Sequence, residues 1–175
     1  YNEFETKAAC NALWLSDQLR TNYVEVFARK RGLDNEPKEE LLKRQLEENK
    51  LWVSFYLLAD IRDKTYISLS DKNAFWNVYV QLDDGRKIIP ELIKEVDLEP
   101  EMQLFFGRSF NLFKAAYLVK FPVKPDVAEK IEKGGLKQLK LVIGSIYKSC
   151  VLNWDKQDLA KQFKKVECNE DFYWG

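Results

Sequence analysis

A chain of 175 residues with 28 basic and 28 acidic side chains has no net charge, and it is long enough to bury about 70% of its surface in a single domain. The balanced, sign-alternating charge excludes a general nucleic-acid binder, which needs a concentrated positive field. An aromatic share of 14% excludes a disordered segment, and no apolar run approaches the ~18 residues of a membrane-spanning helix.

In chain order, Phe4, Ala8, Ala12, Leu15, Leu19, Tyr23 and Val26 step by three and four. This spacing predicts one long helix from about Asn2 to Arg31, stopped by Gly32. A second helix is expected from Asp34 or Asn35 to about Asn49, with Pro37 in its first turn and Leu41, Leu42 and Leu46 on its apolar face. The two would form an antiparallel hairpin over residues 1–49.

From Leu51 to Ala59 the chain is apolar on both faces, as a central strand covered by helices on one side and by sheet on the other would be. Trp76, Val78, Val80 and Leu82 alternate with polar residues, and Asp84-Gly85 supplies a two-residue turn back to Arg86–Ile89. Further strands are expected over Ala115–Phe121, Leu139–Ile143 and Ser149–Trp154, with short helices over Asp126–Lys133 and Asp158–Lys165. Short, irregularly spaced strands point to an α+β domain spanning residues 1–175, with the helical hairpin packed on an antiparallel β-sandwich, Ig-like in general architecture, over residues 50–175.

The absence of histidine removes the commonest general base, every Ser-His-Asp or Cys-His arrangement and the commonest zinc ligand. Cys10, Cys150 and Cys168 are too widely spaced for a zinc ligand pair, and no calcium-loop pattern occurs, so no metal and no cofactor are expected. Cys150 reads as a small buried hydrophobe, and Cys168 as a partner for Cys10 or a thiol. Gly107-Arg108-Ser109 matches neither a nucleophile elbow nor a phosphate loop.

Two candidate sites remain. Asp60 and Asp63 flank Arg62 after the central strand and offer the carboxylate pair that a carboxylate-dependent hydrolase would need, although such pairs are mostly solvated turns or local ion pairs, here with Arg62. Phe105, Phe106, Arg108 and Phe110 lie in an aromatic-rich stretch that either plugs one end of the sandwich or exposes rings around Arg108 to a protein partner. With no catalytic motif, a non-catalytic binding or scaffolding domain is the leading expectation, ahead of a hydrolase or an inhibitor or immunity-type protein.

Trp52, Trp76 with Val78 and Val80, the run from Tyr117 to Pro122 and the pair of segments from Ile143 to Trp154 resemble uncharacterised envelope or lipoprotein-like domains of bacteria. That resemblance implies a place in the cell envelope and carries no catalytic residue with it. A start at Tyr1 without methionine fits a removed signal peptide, a trimmed chain or an unplaced start alike, and any lipid-bearing cysteine would precede it.

Overall fold

The computed structural model describes residues 9–60, 68–71, 76–133, 135–144, 149–155 and 163–167. The first described element corrects the reading of the N-terminus. Residues Ala9–Trp14 form a strand, β1, and the helix begins only at Asp17. The alternation explains it: Cys10, Ala12 and Trp14 enter one apolar core while Leu13 and Leu15 enter another. A segment with apolar neighbours on both faces gains more as a central strand than as one side of a helix. Ser16 marks the change, since its hydroxyl accepts from the Leu19 amide at 3.2 Å and caps α1, Asp17–Arg31.

Basic Arg29, Lys30 and Arg31 close α1, and Gly32 takes the left-handed conformation (φ 63°) that lets its amide return to the Ala28 carbonyl. After this short link α2, Asn35–Leu51, forms the second arm of a helical hairpin, and it has no fully buried residue. The chain passes from Leu51 directly into β2, Trp52–Asp60. This strand is central, as its two apolar faces predict: β1 pairs on one side (Leu13 opposite Tyr56) and β6, Ala115–Pro122, on the other (Leu57 opposite Tyr117).

Strand β3, Asn77–Leu82, and the short β4, Lys87–Ile88, form the expected hairpin, with a correction in the turn. Leu82 bonds to Arg86, and Gly85 donates back to the Leu82 carbonyl, so three residues form the loop and Gly85 takes the positive φ (83°) that such loops require. Two elements had no clear signal in the sequence: β5, Leu92–Glu95, and α3, Pro100–Phe106, which a 3-10 turn at Gly107–Ser109 extends. Helix α4, Pro125–Glu132, and strands β7, Gln138–Gly144, and β8, Ser149–Asp155, fall where expected. The helix expected over Asp158–Lys165 is contradicted at its end, because Phe163–Glu167 is strand β9, paired with β1.

The strands make two antiparallel sheets, one in the order β5-β6-β2-β1-β9 and the other β4-β3-β7-β8. Inner faces of both sheets meet in one core: Phe55 and Phe121 from the first sheet cluster with Trp154 from the second, Phe55 and Trp154 having ring centroids 5.3 Å apart. The opposite face of the five-stranded sheet carries Leu13, Leu58 and Ala116, and α1 and α3 cover it with Leu19, Tyr23, Val24, Met102 and Phe106. Helices and sheets therefore constitute a mixed α+β fold. Among the described residues no helix is long and apolar enough to cross a membrane. Cys150 is buried, as expected, but it is disulfide-bonded and does not serve merely as a small hydrophobe.

Since Leu19 is 2% exposed and β1 lies between β2 and β9, the N-terminal elements are integral to the fold. Leu19→Asp should cost at least about 3 kcal/mol in urea unfolding, by loss of apolar burial and gain of a buried charge. A chain starting at Glu36 should show no cooperative transition. An unchanged melting curve for that chain would disprove the central role of β1.

Candidate functional site

Of the two sites expected from sequence, the carboxylate pair falls mostly outside the described residues and the aromatic stretch lies within them. Asp60 ends β2 opposite Ala9, while Arg62 and Asp63 lie outside the described residues. Of the aromatic stretch, Phe106 is buried at 3% exposure in the helix-side core, and Phe105 and Phe110 pack half-buried against it. The stretch covers the outer face of the five-stranded sheet and does not plug one end between the sheets. Arg108 is exposed, and at the end of the same stretch Leu112 and Phe113 are its most exposed apolar residues. Among the described residues no cluster of acidic and cysteine side chains could hold a metal ion.

The structure instead directs attention to the hairpin of α1 and α2. Because α2 stands off the sheet, a groove of about 800 Å³ opens beneath it, lined by Leu42 and Leu46 from α2, by Trp14 and Trp52 from the sheet, and by Lys43 and Lys50 at its edge. Its surface is mainly apolar, with charges of both signs at the rim. Trp14 and Trp52 stand at opposite ends of two paired strands, which puts both indoles at the same end of the sheet.

A polar seam holds α2 in this position. Arg20, 4% exposed on the inner face of α1, donates through Nε to Asn49 Oδ1 (2.6 Å) and the Leu15 carbonyl (3.3 Å). Its Nη1 reaches Gln45 and Glu48, the latter at 3.2 Å. Lys120 of β6 bonds to the other carboxylate oxygen of Glu48, and Asn49 donates to Asp17 at 2.7 Å. Burial pulls the Arg20 guanidinium below its usual value, with Glu48 as the main opposing influence. For Glu48 burial acts to raise the carboxyl, but Lys120 and Arg20 together outweigh it and hold the group below the usual 4.5.

On the far side of the seam lies a second, smaller cavity of about 280 Å³, lined by Arg20, Glu48, Tyr23, Tyr56, Asp97 and Glu99 among others. Tyr23 donates its hydroxyl to Glu99, and burial, then that bond, raises its phenol far above the usual 10.0. Burial likewise raises Tyr56, against the pull of Arg20. The sequence held one signal for this site: Arg20 falls on the buried face of α1 with Leu19, Tyr23 and Val24, where a charged side chain needs partners.

No family model matches this chain, and no curated protein matches it. Among solved structures, a novel protein of unknown function from Burkholderia pseudomallei is similar at 14% identity, over 93% of this chain and 80% of that one, with a TM-score of 0.44.

Replacing Glu48 by Gln leaves the Arg20 charge buried with neutral partners, which should cost about 1–3 kcal/mol, below the figure for a fully buried pair because Glu48 is partly exposed. A carboxyl held below its unfolded value contributes stability that is present above that value and declines as pH falls below it. The gap between Glu48→Gln and the parent in urea unfolding should therefore narrow as pH drops below 4.5. A gap that stays constant down to about pH 3 would show that the loss does not come from the charge.

Proposed function

We propose that this chain is a non-catalytic binding domain of the bacterial cell envelope, a β-sandwich of Ig-like general architecture with a helical hairpin on one sheet, and that the groove beneath α2 takes a small amphipathic molecule. The observation that carries this reading is the groove itself. Its volume of about 800 Å³ is within the range of small-molecule sites, and a mainly apolar wall with a few charges at the edge is their usual lining. The half-buried indole of Trp52 offers flat apolar area for the body of the ligand beside the edge of the buried Trp14, and Lys43 and Lys50 offer charge for an anionic head. The disulfide at Cys150 supports the envelope assignment, since such bonds persist in oxidising compartments.

Anilinonaphthalene sulfonate, an aromatic body with one anionic group, is a suitable probe. It should bind with an increase in emission and quench tryptophan fluorescence. Leu46→Glu, on a helix with no fully buried residue, should weaken binding at least about ten-fold without unfolding the chain. Equal affinity in parent and variant would remove the groove as the binding site. The disulfide is checked separately by counting thiols in denaturant before and after reduction: two further thiols per chain should appear.

A further inference from the structure

We infer that the smaller cavity, between α1, the outer face of the five-stranded sheet and the segment leading into α3, is a second binding site, and that it takes a free α-amino acid with an apolar side chain, carboxylate inward.

The argument begins with charge. On the inner side of the cavity Arg20 pairs with Glu48, whose other carboxylate oxygen bonds to Lys120 outside the cavity lining, so two positive charges share one negative charge. Asp17, the other acid near Arg20, lines the groove on the opposite side of the seam and accepts from Asn49. Asp17 still acts on Arg20 across the seam, so the inner side keeps a positive surplus that is only partly offset. It also keeps an unmatched donor: Arg20 Nη2 is buried and has no hydrogen-bond partner among the described residues, although Nε and Nη1 are fully engaged. A guanidinium buried to this extent with one open N–H arm is suited to a carboxylate, which can accept from it at little cost in side-chain freedom.

The rim has the opposite character. Asp97 and Glu99 are both exposed and line the same cavity, and neither forms an ion pair among the described residues. Glu99 is fixed in direction by the Tyr23 hydroxyl. Such a rim favours an ammonium group. Between the two ends Leu15, Leu19, Val96, Met102 and Leu118 supply apolar walls. Positive charge with a free donor inside, negative charge at the mouth and an apolar wall between them match a zwitterion with an apolar side chain better than they match either a simple anion or a simple cation. A volume of about 280 Å³ limits the ligand to roughly the size of a single amino acid or slightly more.

Titration calorimetry and thermal shift with L-leucine provide the test, using leucinamide as the analogue without a carboxylate and 4-methylpentanoate as the analogue without an ammonium group. L-leucine should bind and raise Tm, and each analogue should bind at least about ten-fold more weakly, since each leaves one end unmatched. Asp97→Asn and Glu99→Gln, both at exposed positions, should fold normally and weaken L-leucine about ten-fold together while leaving 4-methylpentanoate unchanged. No binding of L-leucine, L-valine or L-phenylalanine at millimolar concentration would overturn the proposal. So would leucinamide binding as tightly as leucine, or unchanged leucine affinity in the double variant. The groove probe is independent of these outcomes, because Leu46 lines only the groove and Asp97 only the cavity.

Discussion

The five-stranded sheet is apolar on both faces, and the rest of the architecture answers that constraint. Along β2, Val53, Phe55, Leu57 and Ala59 point one way while Tyr56 and Leu58 point the other, so neither face can be left in water. One face is covered by the second sheet, which has an apolar inner side and an outward side where β8 alternates exposed and buried residues. The other face is covered by α1 and α3. The N-terminal strand belongs to the same solution, since β1 contributes Ala12 and Trp14 to one core and Leu13 to the other.

Of the polar side chains buried here, Asn11, Arg20, Ser54 and Glu101, Arg20 is the one that ties α1 to α2. Its charge is opposed by Glu48 of α2, which it shares with Lys120 of β6. This accounts for how α2 is held although it buries no residue completely: what docks it is a set of charge-assisted hydrogen bonds supplemented by partly buried Leu41 and Leu42. A helix docked through long polar side chains stands farther from the sheet than one packed through leucines. The two cavities on either side of the seam follow from that stand-off.

Much of the fold was legible where alternation was unambiguous. Residues 51–59 announced a strand buried on both faces, and Trp76–Leu82 followed by Asp84-Gly85 announced a hairpin. The N-terminus was misread because Ala8, Ala12, Leu15 and Leu19 happen to continue a helical spacing across a real boundary, and Ser16-Asp17, a good capping pair, was outweighed by that periodicity. The β5 strand was hidden because its residues are mostly exposed at a sheet edge, so nothing in Leu92–Glu95 alternates clearly. The site was barely legible, because its members come from α1, α2, β2, β6 and the approach to α3, and only tertiary packing brings them together. Arg20, a charge on the buried face of α1, was the one local signal, and the reading of the sequence passed over it.

The way α2 is attached also sets a hierarchy of local opening. Elements fixed by interdigitated core side chains exchange their amide hydrogens only when the whole domain unfolds, whereas a helix held by a few hydrogen bonds at one edge can detach while the remainder stays intact. The amides of α2 should therefore exchange through a low-energy opening governed by the Arg20 seam, and those of β2, which the chain enters immediately after Leu51, through global unfolding. Adjacent residues on either side of position 51 would then differ in protection by orders of magnitude. Such an abrupt step would place the limit of the cooperative core at a peptide bond and not at a loop.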